Sequence, residues 1–271
     1  MNKPANTASR LVLAGAVSLA LMTGCSSQQN TSSAPTETSS SATSSPSGEK
    51  IVVFAAAAQN KAFTEIGEAF KTDNPGSDVE FSFASSADQV TQLTKGATAD
   101  VFASADTSNM DKVVQAGLVA GTPTNFASNT LTIAVAPGNP KKITSLADLN
   151  KPGISVVVCV PQAPCGAATQ KAEQAAGVRL NPVSEEPSVA EVLSKVASGP
   201  ADAGLVYMTD VLGAGDKVTG VPFPEAAGAA TTDTIAVLKQ AKNSELAGKF
   251  VELVTGEAGQ KILAANGFTK P

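Results

Sequence analysis

Beyond Glu49 the spacing of hydrophobic positions switches repeatedly between strand-like and helix-like. "IVVF" (51–54) is an unbroken apolar run of strand length. Four alanines, Ala55 to Ala58, follow it. "NKAFTEIGEAFK" then sets Phe63, Ile66 and Phe70 on one helical face, and "DNPG" stops the helix. "VEFSF" predicts a second strand, "SSADQVTQLTKG" a short helix with Val90 and Leu93 inward, "ADVFAS" a third strand and "TSNMDKVVQAGLV" another helix. This β-α-β-α-β rhythm predicts a parallel sheet covered by helices on both faces. The middle of the chain repeats the rhythm. "NTLTIAVAPGNP" predicts one strand leaving the first unit, and "TSLADLN" a short helix. "GISVVVCV" is the most apolar strand, "GAATQKAEQAAG" and "SVAEVLSKVASG" are helices, and "ADAGLVY" is a strand. "DTIAVLK" has the character of a strand that carries the chain back. The tail is helical, with Leu246, Phe250, Leu253 and Val254 at i, i+4, i+7 and i+8.

Two α/β units, one interrupting the other and joined by two strands, predict two lobes: residues 50–130 plus 232–271, and residues 131–231. A cleft between such lobes binds ligands and closes by hinge motion. The chain has 271 residues, 42% of them hydrophobic, enough for two such cores.

The first 24 residues stand outside this pattern. Lys3 and Arg10 precede "LVLAGAVSLALM", an apolar run too short to span a bilayer, so residues 1–24 read as a secretory signal. It ends in "LMTGC", which resembles the bacterial lipobox and implies a diacylglyceryl thioether on Cys25. Residues 25–49 are rich in Ser and Thr and nearly devoid of apolar side chains, so they read as a disordered tether. A flexible coil of ~24 residues has an r.m.s. reach of roughly 25–30 Å. The expected location is the extracytoplasmic face of the cell membrane.

Charge and residue types then narrow the chemistry. Removing Lys3 and Arg10 from the 19 basic residues leaves 17 against 24 acidic ones, with no basic run, which disfavours a nucleic-acid partner. Any anion site must therefore be local. The chain has no histidine, the commonest general base, and no Gly-rich phosphate motif. Besides Cys25 there are Cys159 and Cys165, in "CVPQAPC". Outside the cell such a pair reads as a disulfide closing a short loop; the alternative is a redox-active pair and a thiol/disulfide enzyme.

Candidate binding residues precede the helices. Ala57-Ala58-Gln59-Asn60, Ser85-Ser86, Pro164-Cys165-Gly166-Ala167 and Pro187-Ser188-Val189 each mark a helix start with small or uncharged side chains. Helix starts expose unpaired N–H groups and the positive end of the macrodipole. The serines have a second reading as helix caps, because Ser86-x-x-Gln89 and Ser85-x-x-Asp88 fit the capping-box pattern. Tyr207, the only tyrosine, ends a strand where α/β proteins place ligands; a half-buried packing tyrosine is the other reading. Asp100 and Asp106 suggest a carboxylate pair, but a turn anchor and a helix cap account for them.

In this order, "IVVFAAAAQNKAF", "FSFASSADQVTQL", "ADVFASAD", "PCGAATQKA", "SVAEVL", "GLVYMTD" and the terminal "NGF" resemble the bacterial periplasmic molybdate-binding proteins, the ModA family of ABC importers, over about Glu49 to Phe268. The resemblance implies the two-lobed type II solute-binding fold and no enzymatic activity or cofactor. It implies a monomer that carries molybdate or tungstate to an ABC permease. Carried over residue by residue, its oxyanion contacts fall on Ala58, Ser86, Cys165, Val189 and Tyr207. Ala58 departs from the family's serine, which leaves the backbone N–H of Ala58 or Gln59, or the Gln59 or Asn60 side chain, as the substitute donor; Ser85 is an additional candidate contact. Sulfate and phosphate are the alternative ligands. Hydrogenphosphate needs an acceptor for its proton, and Asp88 and Glu186 are the carboxylates nearest these turns in sequence.

Overall fold

The computed structural model describes residues 49–271, so the signal, the tether and Cys25 lie outside the described residues. The described residues open with β1 (Lys50–Ala56), a 3₁₀ turn at Ala57–Gln59 and α1 (Asn60–Asp73). It continues through β2 (Asp78–Ala84), α2 (Ser86–Thr94), β3 (Val101–Ser104) and α3 (Thr107–Gln115). β4 (Thr124–Asn129) and β5 (Leu131–Val135) follow, then β6 (Val156–Cys159), α4 (Pro164–Ala176), β7 (Ser184–Glu186) and α5 (Val189–Ala197). The remaining elements are β8 (Ala203–Tyr207), α6 (Met208–Ala214), β9 (Thr219–Val221), β10 (Thr231–Val237), α7 (Ser244–Thr255) and α8 (Glu257–Ala265).

These strands form two five-stranded sheets, ordered β2-β1-β3-β10-β4 and β7-β6-β8-β5-β9. Each is the core of one lobe. β1 lies parallel between β2 and β3, as the rhythm predicts. β10 and β4 then add antiparallel strands, so the sheet is mixed. The second sheet is also mixed, with β6 parallel to β7 and β8 but β5 antiparallel to β8 and β9. The chain passes between sheets at Thr130 and again between β9 and β10. "NTLTIAVAPGNP" is therefore not one strand: it breaks at Thr130, with Asn129 closing β4 and Leu131 opening β5. There Asn129 Oδ1 accepts from Thr130 N at 3.0 Å, and Asn129 Nδ2 donates to Thr209 Oγ1 at 2.8 Å. "TSLADLN" forms only a 3₁₀ turn, Ala147–Asn150.

The lobes differ in how they fill their cores. The first packs aromatic rings: Phe63 lies 5.7 Å from Phe126, and Phe70 5.4 Å from Phe250, between centroids. Such tilted and edge-on pairs add to the burial of their area. Leu246, Phe250 and Val254 supply the buried stripe of α7, with Leu253 at its edge. The second core is aliphatic, built on Ile133, Val156, Val157, Leu205 and Val206. Asp106 caps α3 by accepting from Asn109 N at 2.7 Å, and Asp100 accepts from Val52 N and Lys242 N at 2.7 and 2.6 Å. Both aspartates are structural anchors.

Candidate functional site

The carboxyl ends of strands from both sheets meet around a small cavity of about 10 Å³. The first lobe lines it with Ala56 at the end of β1 and Ala57 and Ala58 just after it, with Ala84, Ser85 and Ser86 at the junction of β2 and α2, and with Ala105 just past β3. The second lobe contributes Pro164 and Cys165 at the start of α4, Ser188 and Val189 at the start of α5, and Tyr207 at the end of β8. Ala58, Ser86, Cys165, Val189 and Tyr207 are thus brought together, and Ser85 joins them. None of the lining side chains is charged.

The alanines explain why the opening turn can lie against this space. Ala56 is 3% exposed and Ala58 9%, so their methyl groups fill little volume while the backbone stays close to the cavity. A comparable close approach fixes the other wall. A Cβ on Gly166 would fall 2.0 Å from Val160 O, so only glycine lets the start of α4 sit against the loop after β6. A Cys159–Cys165 disulfide joins the same strand end to the same helix start.

Two residues of this lining carry hydroxyls without partners. Ser85 Oγ and Tyr207 Oη are buried, and neither makes a hydrogen bond of normal geometry; the Thr231 hydroxyl, itself unpaired, is close enough to act on the Tyr207 phenol. Buried polar groups are nearly always paired, and an orphan costs ~1–3 kcal/mol. Burial pushes the Tyr207 pKa well above its ordinary value of 10.0, and the carboxyl of Asp233 pushes it further. The phenol therefore keeps its proton and remains a donor. Its backbone N–H donates to Asp210 Oδ2 at 2.8 Å.

The capping reading of the serines does not hold. Ser85 occupies the N-cap position of α2 but makes no capping bond, and Ser86 is already the first helical residue. Ser86 Oγ instead accepts from Ala105 N at 3.1 Å, which leaves its own proton free to donate. Gln89, the expected box partner, turns its Nε2 to Ala55 O and Ser82 O at 2.9 and 2.7 Å. The half-buried reading of Tyr207 fails too, since its side chain is 1% exposed.

Gln59 and Asn60 do not line the cavity. Gln59 is fully buried and points away: its Oε1 accepts from Ala56 N at 3.0 Å and its Nε2 donates to Asp233 Oδ2 at 2.8 Å. Asn60 is exposed and borders a larger open cleft beside the cavity, with Lys61, Glu191, Asp210 and Lys217. Asp88 and Glu186 are also outside the cavity wall. Glu186 is ion-paired with Lys195 and accepts from Ser184 Oγ at 2.7 Å; these partners hold its carboxyl below the usual carboxylate range. Asp233, fully buried on β10, escaped the sequence reading. No local pattern links it to Gln59, 174 residues away.

Such a cavity suits a small anion that only accepts hydrogen bonds. Its wall offers hydroxyl donors and helix starts, no carboxylate to repel the ligand, and no cation.

Known proteins agree with this architecture. A family model described as bacterial extracellular solute-binding protein matches residues 51–269. The molybdate-binding protein ModA of Mycobacterium tuberculosis is 59% identical over 233 residues, 84% of this chain and 89% of that protein. Among solved structures, the Azotobacter vinelandii periplasmic molybdate-binding protein superposes with a TM-score of 0.70 at 24% identity, over 82% of this chain and 99% of that one. The substrate-binding domain of a putative molybdenum ABC transporter from Clostridium difficile gives 0.62 at 25% identity, again over 82% and 99%. The chain belongs to the ModA family of bacterial extracellular solute-binding proteins.

Proposed function

We propose that this protein captures molybdate outside the cytoplasm, with tungstate as a second ligand, and delivers it to an ABC permease. The observation that carries the reading is the pair of partnerless buried hydroxyls, Ser85 Oγ and Tyr207 Oη, in a small cavity without charged walls. A doubly negative tetrahedron gives both a strong acceptor. Hydrogen bonds to a charged partner contribute ~1.5–3 kcal/mol each, enough in combination for tight binding after desolvation and closure are subtracted. In this reading the Ser85 hydroxyl replaces the one missing at Ala58. Ser86 Oγ and the backbone amides of Ala58, Cys165 and Val189 complete the donor set.

The same reading separates oxyanions. Hydrogenphosphate carries a proton that needs an acceptor, and no carboxylate lines the cavity. Sulfate matches molybdate in charge and shape with shorter bonds, so cavity size is what discriminates. The protein acts as a carrier rather than an enzyme, which its family supports. Residues 1–24 act as the export signal, acylated Cys25 as the membrane anchor and residues 25–49 as the tether. The lobes comprise residues 50–130 plus 232–271 and residues 131–231, and a monomer closes them over the ion.

A thermal-shift series with molybdate, tungstate, sulfate and phosphate tests the proposal, because only a ligand that binds the folded form raises its melting temperature. Molybdate and tungstate should raise it strongly and phosphate not at all. A larger shift with phosphate or sulfate than with molybdate would reject it.

A further inference from the structure

Behind the cavity lies a buried polar pair that the proposed ligand contacts do not use. Gln59 and Asp233 are both fully buried. Gln59 uses both ends of its carboxamide, accepting from Ala56 N at 3.0 Å and donating to Asp233 Oδ2 at 2.8 Å. The first bond closes a ring over Ala56–Gln59, the turn that gives the cavity Ala56, Ala57 and Ala58. The second ties this turn to β10, which starts at Thr231 as the chain returns from the second sheet.

The pair is costly as plain core. Asp233 Oδ1 has no partner, and among the described residues no salt bridge includes Asp233. The groups whose charge reaches it are Asp106 and Asp210, and Tyr207 faces it with a phenol; none is a cation. Two apolar side chains of similar size would fill the space without desolvating a carboxyl. What they could not do is hold Ala56 N and β10 at once.

We infer that Gln59 and Asp233 form a positioning pair, which fixes the Ala56–Gln59 turn against β10 so that its backbone meets the bound oxyanion in a preset geometry. The inference rests on the cavity being the oxyanion site. It assigns Gln59, considered above as a ligand contact, a role one step behind the ligand. Preset donors bind more tightly because less order is lost on binding.

Molybdate titration of the mature protein by calorimetry tests this with three variants: Gln59→Leu, Asp233→Asn and the double variant Gln59→Leu/Asp233→Leu. Asp233→Asn keeps a carbonyl oxygen for Gln59 Nε2, whereas the double variant replaces both polar groups by apolar bulk and protects the fold. Wild type should bind. Gln59→Leu and the double variant should each weaken Kd at least tenfold, by similar factors, since the pair acts as one unit. Asp233→Asn should stay within about threefold of wild type, a rescue that a merely space-filling role would not require. A folded double variant that binds like wild type overturns the inference, as does an Asp233→Asn variant as weak as the double one. If wild type itself takes up no molybdate, the oxyanion reading falls, and this inference with it.

Discussion

Replacing Tyr207 by Phe removes one oxygen and separates binding from folding. In the ligand-free protein that oxygen is buried and unpaired, beneath a side chain 1% exposed. Its removal relieves a desolvation cost of ~1–3 kcal/mol. For a folded region of this size, 1 kcal/mol moves the melting temperature by about 2–4 °C. The ligand-free variant should therefore melt at or a few degrees above wild type. In the complex the same oxygen donates to a dianion, a bond worth ~1.5–3 kcal/mol. Since 1.4 kcal/mol is a tenfold change, Kd should rise about 10- to 150-fold. The two effects have opposite signs, which few surface or core substitutions produce. Isothermal titration with molybdate at neutral pH gives the first quantity, and ligand-free thermal unfolding in the same buffer gives the second. The high Tyr207 pKa keeps the phenol protonated at neutral pH, so its ionisation does not complicate the titration. An unchanged Kd would refute the reasoning. So would a loss of ligand-free stability as large as the loss of affinity, because the hydroxyl would then be structural.

Further predictions follow from other parts of the site. Ser85→Ala should weaken binding about tenfold and leave the ligand-free protein as stable as wild type or slightly more so, because its Oγ is buried without a protein partner; Ser86→Ala should also cost ~1 kcal/mol in urea unfolding, because Ala105 N loses its acceptor. The Cys159→Ser/Cys165→Ser variant opens a loop of sequence separation 6 and should lose ~2 kcal/mol in chemical unfolding, while keeping the Cys165 position's amide for the ligand. Asp233 sets a pH trend. Burial raises its pKa from 3.8 to about 8, so the folded state keeps a proton that the unfolded state releases in that window. Stability should therefore fall as pH rises from 5 to 8, by on the order of 4 kcal/mol, and level off above. Asp210, raised by burial to about 7, acts in the same direction. Asp233→Asn should remove about half of the slope below pH 7, where Asp210 contributes equally, and most of it between pH 7 and 8, in urea unfolding measured at several pH values; an unaltered slope would show that Asp233 is not its source.

Much of the fold was legible because its strongest elements carry their signal locally. The run "VVVC" has strand length and no polar break, and Phe63, Ile66 and Phe70 repeat at the helical period. The elements that escaped are short or polar. β7 reads "SEE" and pairs only with β6 at a sheet edge; β4 reads "TNFASN"; β9 has three residues. α6 begins directly at Met208 without a Gly or Pro break, and Asp210 caps it through Tyr207 N. The antiparallel placement of β10 and β4 depends on how the chain returns from the second sheet, which no window of sequence encodes.

The site shows the same division. Small residues before helices were visible as a pattern, and the resemblance selected Ala58, Ser86, Cys165, Val189 and Tyr207 from them. Which serine hydroxyl stays free was not visible. The Ser86-x-x-Gln89 spacing fits a capping box, but the carbonyls of Ala55 and Ser82 draw Gln89 away, and Ala105 N engages Ser86. Gln59 looked like a spare donor until Asp233 claimed its amide from the far end of the chain.

The central claim is that neutral donors from both lobes enclose a doubly negative tetrahedron. Its most direct test is the crystal structure of the molybdate-soaked protein, with data collected at the molybdenum absorption edge to locate the metal. The account predicts one anomalous peak between the lobes, with oxyanion oxygens within hydrogen-bonding distance of the Ser85 and Tyr207 hydroxyls and the amides of Cys165 and Val189. A cavity without a peak, or a molybdate held by lysine side chains elsewhere on the surface, would contradict it.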